Sequence, residues 1–336
     1  MRAYEIRQGS RGLDGLRMVE KPEPVPGRGQ ILVRVRAVSL NYRDTLVVSG
    51  AYFGGSVSRD TIPLSDGAGE VVAVGEGVAR FKPGDRVAGT FFLDWADGPP
   101  VGPRLTRGWP VDGMLAEYVV LDEGDAVALP KSLSFEEGAT LPCAGVTAWH
   151  AVICACAVKP GDTVLVMGSG GVSIFALQLA RAAGARVVMT SSSDAKLERG
   201  RSLGASEGIN YRTTPDWEQK VLEVTGGRGV DHIIEVGGPG TLGRSMKCVA
   251  YGGRIALIGV LAGLQGDTSP HPLMVKGASL HGIFVGNRAM FERLNAAIEA
   301  NGIRPVIDRV FDFDQAVDAY RYLGSGAHFG KVVIRI

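Results

Sequence analysis

The segment Thr163-Val164-Leu165-Val166-Met167 runs straight into Gly168-Ser169-Gly170-Gly171-Val172-Ser173, and an amphipathic stretch follows. A strand, a glycine turn and a helix in that order form the setting in which a GxGxxG-like pattern becomes a specific sign of dinucleotide binding. Gly168 permits the tight turn, and Gly170 lets the backbone approach a pyrophosphate. The helix that opens at Gly171 and Val172 then offers free N–H groups and a partial positive charge. Ser173 stands where the motif's third glycine belongs and is small enough to preserve helix–strand packing. The simpler alternative is a glycine turn with no ligand. The next strand, Val187-Val188-Met189-Thr190, leads into Ser191-Ser192-Ser193-Asp194-Ala195-Lys196. A site for NAD places a carboxylate at that strand's end, about 20 residues past the glycines, to hold the ribose 2′-hydroxyl. Here Ser191 and Ser192 offer hydroxyls and Lys196 a cation, which suits a 2′-phosphate and predicts NADP(H). On the plainer view Lys196 is a solvated helix residue. Asp194 is read as the N-cap of the following helix.

The elements that hold this turn repeat along the second half of the chain. Strands are predicted at 163–168, 186–190, 208–211, 230–236, 254–259 and 279–285, with helices at 171–183, 195–203 and 215–224. Six short β-branched runs separated by helices imply an α/β fold with a doubly wound parallel sheet. The first 120 residues are instead rich in strand signals and poor in helices, so they read as a β-rich, barrel-like domain. Ser134 and Glu137 have the spacing of a helix-opening capping box. Residues 287–301 read as a helix, and the chain closes on a strand, Lys331 to Ile336. The stretch 91–113, with eight Gly and Pro residues, reads as a long irregular loop. Its Phe91, Phe92, Trp95 and Trp109 either wall a substrate cleft or pack locally.

A chain of 336 residues suits two domains. Hydrophobic content of 45% and charged content of 21% describe an ordinary globular protein. The net charge of +1 gives no field that would recruit nucleic acid or an anionic membrane. The four cysteines form no CxxC pair, and buried free thiols in a reducing cytoplasm are expected. No signal-like apolar run opens the chain, and no stretch approaches the length of a membrane span.

Taken together, Asn41 with Asp44 and Tyr52, Gly67-Ala68-Gly69, Cys143-Ala144-Gly145-Val146-Thr147-Ala148, the glycine turn and Gly330-Lys331-Val332-Val333 resemble the medium-chain dehydrogenase/reductase superfamily. Within it they are similar to the zinc-free quinone oxidoreductase (zeta-crystallin-like) branch, over essentially the whole chain. The resemblance implies a GroES-like catalytic domain at 1–124 and 288–336, and a Rossmann domain at 125–287, with the active site in the cleft between them and a homodimer as the assembly. It further implies that Lys196 and Tyr211, 15 residues apart, hold the 2′-phosphate. Thr147 matches a threonine on the nicotinamide side, and Ile258, Phe284 and Val285 match strand ends that flank the ring.

The departures from the zinc enzymes of the superfamily bear on the chemistry. Asn41 stands where they place a cysteine ligand, Ser65 where they place a histidine, and Arg43 where a hydroxyl relays protons. Cys143 alone cannot complete the roughly three-ligand set that catalytic zinc needs. The lobe that carries structural zinc falls near 90–112, which holds no cysteine, and the five histidines show no metal-binding spacing. Both zinc sites are expected to be lacking. Hydride delivered to a quinone or enone spreads charge into a conjugated enolate, which ordinary hydrogen-bond donors can stabilise. Asn41 and Tyr52 are the candidate donors. Asn41 can equally serve as a turn residue or touch the cofactor ribose, and Tyr52 can serve in packing. Asp44 and Asp66 read as structural hydrogen-bonders, and Cys143 as a small buried residue. The expected function is therefore metal-free, NADPH-dependent reduction of a quinone or α,β-unsaturated carbonyl. The alternatives are alcohol oxidation or aldehyde reduction, and a non-catalytic NADPH-binding protein.

Overall fold

The computed structural model describes residues 1–53, 55–266 and 268–336. Two compact units divide the chain: Met1–Val146 with Gly286–Ile336, and Thr147–Val285.

The first unit is organised by the strand Gln30–Leu40. Its first half buries Ile31, Leu32, Val33 and Val35 while Arg34 faces solvent, and its second half, Ala37–Leu40, is buried throughout. That pattern matches a strand covered on one face at its start and on both at its end. It lies at the centre of a seven-stranded sheet, with Asp66–Val74 antiparallel on one side. Its other side is shared: Tyr118–Asp122 pairs with the first half and Lys331–Arg335 with the second. The register sets Ser39 opposite both Asp66 and Val333, and Leu40 opposite Val332. The segments carrying Asn41, Asp66 and Lys331 therefore converge where this strand ends. The helix Tyr42–Val48 begins there.

Residues 125–146 belong to this unit, not to the nucleotide-binding one as the sequence suggested. The strand Ala126–Ala128 pairs with Arg86–Gly89, and the helix Phe135–Gly138 opens on the predicted capping box, with Ser134 Oγ accepting from Glu137 N at 3.1 Å and Glu137 answering at 2.8 Å. The limit expected at residue 125 marks a change of local structure rather than of packing partner. At the other boundary Gly286 and Asn287 also join the first unit. Asn287 caps the helix Arg288–Asn301 by accepting from Met290 N at 2.8 Å.

In the loop 91–113 the aromatics pack locally. Phe91, Phe92 and Trp95 are buried, with successive rings edge to face at centroid distances of 4.9 and 5.5 Å. Beneath them lies Arg43, buried, its guanidinium 4.9 Å from the Phe91 ring and 4.7 Å from that of Tyr52. It donates to the carbonyls of Arg107 at 2.8 Å and Trp109 at 3.2 Å. The residue in the relay position thus fastens the loop to the first helix.

The second unit is a six-stranded, wholly parallel sheet. Its order is Glu207–Asn210, Arg186–Ser191, Thr163–Met167, Val230–Glu235, Val249–Leu257, Ser279–Gly282. In chain order that is three, two, one, four, five, six, the doubly wound arrangement whose crevice lies where the order reverses. Leu165, Val188, Ile233 and Ile255 supply the sheet's share of a core that Trp217, Val221, Leu242 and Met246 complete. The fifth strand starts earlier than expected, at Val249, and the sixth stops at Gly282. The helix predicted at 215–224 begins at Trp217. No helix among the described residues is long and apolar enough to cross a membrane.

Candidate functional site

The second unit builds its cradle from the glycine turn upward. Gly168 sits at φ +77°, a conformation strained for any side-chain-bearing residue. Gly170 is the extended N-cap of the helix Gly171–Ala182, and it brings no side-chain acceptor to the first turn. The opening amides of a helix have no partner within it, so those of Gly171 and Val172 are available to an anion. Ser173 has work a glycine could not do: its buried hydroxyl donates to Met167 O at 2.6 Å and ties helix to strand.

The neighbouring strand reaches the same edge. Gly168 N donates to Thr190 Oγ1 at 3.4 Å, and the Ser169 and Ser191 hydroxyls lie 3.4 Å apart. Tyr211 N donates to Ser191 O at 3.1 Å, so Tyr211 stands beside the end of this strand, with its side chain exposed. Ser192 and Lys196 are half-buried close by in sequence. Asp194 is not the N-cap. The backbone of Ser193 is extended, which makes Ser193 the cap and Asp194 the first residue of the helix, and Asp194 Oδ1 accepts from Asn210 Nδ2 at 2.8 Å.

Farther along the sheet edge, Leu257 pairs with Gly282 and Ile283 N donates to Leu257 O, so Ile258 and the segment leading to Phe284 and Val285 leave the sheet at the same edge. Val285 has φ +51°, and its carbonyl oxygen is 2.7 Å from His150 Nδ1, three residues past the buried Thr147. In this unit one residue was missed from sequence. Glu235 is wholly buried, and its carboxylate accepts from Gly237 N at 2.8 Å, Gly238 N at 3.1 Å, Thr241 Oγ1 at 2.8 Å and the Ser245 hydroxyl. It fixes the glycine turn after the fourth strand; a lone Glu before Val-Gly-Gly was the only signal.

The first unit's polar cluster centres on Asn41. Lys331, buried, donates from Nζ to Leu40 O at 2.5 Å and to Asn41 Oδ1 at 2.6 Å, and lies 4.0 Å from Asp66 Oδ2. Asp66 is fully buried; Ser65 Oγ donates to Oδ1 at 2.7 Å and Cys143 N to Oδ2 at 3.2 Å. Burial pushes the Asp66 carboxyl up from its ordinary value, while the Lys331 ammonium pulls it back. Burial also lowers the Lys331 ammonium, against the charge of Asp66. Asp44 Oδ2 accepts from Asn41 N at 2.7 Å, and burial pushes its carboxyl up to about 6 despite Arg43. Two buried cations and two buried anions therefore surround one amide. Asn41 Nδ2 and the Tyr52 hydroxyl are both shielded from water and make no hydrogen bond of normal geometry, although Asp66 lies near the first and Arg43 near the second. Burial raises the Tyr52 hydroxyl above its ordinary value, so it stays protonated and able to donate at neutral pH.

This donor set does not suit zinc. The Asn41 oxygen faces an ammonium, and the Ser65 hydroxyl is committed to Asp66. No group of three or more His, Cys, Asp or Glu among the described residues is arranged to hold a metal.

A family model for zinc-binding dehydrogenases matches residues 171–300, and one for the GroES-like domain of alcohol dehydrogenases matches 27–131. A zinc-type alcohol dehydrogenase-like protein of Schizosaccharomyces pombe is 45% identical over 99% of both chains. Human quinone oxidoreductase is 30% identical over 93% of this chain and 90% of its own. Among solved structures, a candidate alcohol dehydrogenase from Sinorhizobium meliloti superimposes with a TM-score of 0.94 at 45% identity, over 100% of this chain and 98% of that one. An NAD-dependent alcohol dehydrogenase (TM-score 0.91, 34% identity, 100% of both chains) and the crotonyl-CoA carboxylase/reductase AntE in complex with NADP (0.89, 25%, 100% of this chain and 95% of that one) are similar as well. The fold, the glycine cradle and these relatives agree: the chain is an oxidoreductase that uses a nicotinamide cofactor, and it belongs to the medium-chain dehydrogenase/reductase superfamily.

Proposed function

We propose that this chain transfers hydride from NADPH to a quinone or to the β-carbon of an α,β-unsaturated carbonyl, without a metal ion, as in the quinone oxidoreductase branch. The observation that carries this reading is the Lys331 ammonium seated 2.6 Å from the Asn41 amide oxygen, where a zinc enzyme needs an anionic or neutral ligand. Reducing an isolated ketone builds a localised alkoxide, which calls for a Lewis acid. A conjugated acceptor delocalises that charge, and well-placed hydrogen-bond donors then suffice, each worth about 10²–10³ in rate.

In this reading Asn41 Nδ2 and the Tyr52 hydroxyl donate to the acceptor's carbonyl oxygen, and Tyr52 or water supplies the proton. Both are donors that make no hydrogen bond of normal geometry. Bound NADPH supplies the hydride. The amides of Gly171 and Val172 receive its pyrophosphate, with Gly168 and Gly170 giving the backbone its close approach. Ser191, Ser192, Lys196 and Tyr211 hold the 2′-phosphate; Thr147, Ile258, Phe284 and Val285 flank the nicotinamide. NADP is favoured over NAD because the second strand ends on Ser191 rather than a carboxylate. The domain limits follow the two compact units.

A homodimer and a cytoplasmic location complete the proposal. The sixth strand lies at the sheet's edge and exposes Leu280 and, just beyond it, Phe284, which suits pairing with a second copy. All four cysteines are free; Cys156 and Cys248 are buried, whereas Cys154 is exposed, unlike the buried set expected.

Alcohol oxidation is the second reading, favoured by the names of the relatives at 45% identity. A panel separates the two: NADPH and NADH oxidation with menadione and methyl vinyl ketone, and NADP⁺ reduction with primary and secondary alcohols. The proposal expects the conjugated acceptors to dominate with NADPH. Alcohol turnover at matching rates would overturn it, as would tight NADPH binding with no turnover of any acceptor.

A further inference from the structure

The Asn41 side chain can point either its oxygen or its nitrogen at a given neighbour, and only one choice leaves a donor for substrate. Lys331 makes that choice together with the capping box, in which the Asp44 backbone N–H also faces the Asn41 side chain. An ammonium donates three hydrogen bonds and accepts none, so the amide atom 2.6 Å from Nζ must be the oxygen. A flipped amide would set two donors face to face in a site that water does not reach. The lysine itself has no freedom to follow: its aliphatic stem is buried within the closing strand, and its head is fixed on Leu40 O at 2.5 Å with Asp66 as counter-charge at 4.0 Å. Strand register enforces the arrangement, because Val332 pairs with Leu40 and so delivers Lys331 to the residue after it. The nitrogen is left shielded from water and makes no hydrogen bond of normal geometry, although the Asp66 carboxylate lies within its influence. The Asn41 amide also helps keep Asp66 ionised, yet makes no hydrogen bond of normal geometry to it.

We propose that Lys331 is a positioning residue: bound to Asn41 Oδ1, it locks the amide with Nδ2 presented as the donor to the acceptor's carbonyl oxygen. This rests on the reading of Asn41 as the polarising group. The charge of Lys331 also makes Asn41 Nδ2 a stronger donor, by drawing electron density toward the amide oxygen.

The test is a double-mutant cycle of Lys331→Met and Asn41→Ala, with menadione as acceptor, read as kcat, menadione KM and NADPH Kd. Lys331→Met should lower kcat roughly 10- to 100-fold, approaching the loss of one polarising donor, with NADPH Kd unchanged. On the Asn41→Ala background the same substitution should cost less than about threefold, because its effect runs through the amide. Removing Lys331 strands Asp66, so Asp66→Asn/Lys331→Met supplies a charge-balanced partner, compared with Asp66→Asn alone. It should show the same loss of kcat. The side-chain amide resonance of Asn41 should move on Lys331→Met and stay near its native position in Asp66→Asn. Wild-type kcat in Asp66→Asn/Lys331→Met, with Asn41→Ala impaired, overturns the positioning role. So does full additivity in the cycle. Wild-type kcat in Asn41→Ala instead removes the underlying reading of Asn41, and the positioning role with it.

Discussion

The glycine cradle and the Asn41 cluster receive polar groups by opposite means. The cradle is almost all backbone: a left-handed Gly168, an N-cap with no side-chain acceptor, and helix amides left open. It carries no buried charge, and no side chain caps the amides that the proposal assigns to the pyrophosphate. The Asn41 cluster is all side chain: Arg43, Asp44, Asp66 and Lys331 are all buried and offset one another, which leaves one amide nitrogen and one tyrosine hydroxyl unclaimed. An anion site can be left open because exposed backbone amides cost little. In the proposed reading, a carbonyl site among buried groups has to be held open by neighbours that pin every alternative orientation. That is what the second arrangement adds, and it explains why its loss should fall on turnover and the loss of the first on cofactor affinity.

Substitutions should separate the two accordingly. The largest effect is expected at Asn41→Ala, a fall in kcat of about 10²-fold with menadione and no change in NADPH Kd; steady-state kinetics with a fluorescence titration of NADPH reads both. Gly168→Val should do the reverse. A β-branched residue at φ +77° costs about 1–3 kcal/mol, so NADPH Kd should rise by about 5- to 150-fold while kcat at saturating cofactor holds. Lys196→Ala should weaken NADPH by roughly 10-fold or more, the worth of a hydrogen bond to a charged group, and leave NADH untouched. Equal losses for the two nucleotides would remove Lys196 from the 2′-phosphate site.

The smallest effect concerns stability rather than function. Asp44 in the folded chain titrates near 6, above its ordinary 3.8. The folded state therefore binds the proton more tightly than the unfolded state, and stability contributed by this group falls as pH rises from about 4 to about 6. Asp44→Asn should flatten that decline, seen as a smaller change in denaturation midpoint between those two pH values. A steeper decline in the variant would contradict the assignment.

The contrast also accounts for what the sequence could reveal. The cradle is legible because its parts are contiguous: five strand residues, the glycines and the helix start fall within 163–173. All six strands of the sheet were readable from their β-branched runs, although the fifth begins at Val249, ahead of its apolar stretch, because Tyr251, Gly252 and Gly253 interrupt the pattern. The cluster is drawn from 41–44, 65–66, 143 and 331, and only strand register unites them. Asn41 and Tyr52 came as candidates from resemblance, and the replacement of the zinc enzymes' cysteine and histidine by Asn41 and Ser65 from reading residue types. Nothing local announced that Lys331, in a run that reads as an ordinary final strand, would turn inward onto Asn41. Arg43 was legible only as a missing hydroxyl; its hold on the 91–113 loop depends on contacts 64 and 66 residues away. Asp194 was misread because Ser193, equally able to cap, stands one residue earlier.

The most direct test of the central claim combines metal analysis with turnover on the same sample. The purified protein would be dialysed against a strong chelator, assayed for zinc and other transition metals, and tested for NADPH-dependent reduction of menadione and methyl vinyl ketone. The account predicts undiminished turnover with far less than one metal ion per chain. One tightly held zinc per chain, with turnover lost on its removal and restored on its return, would contradict it.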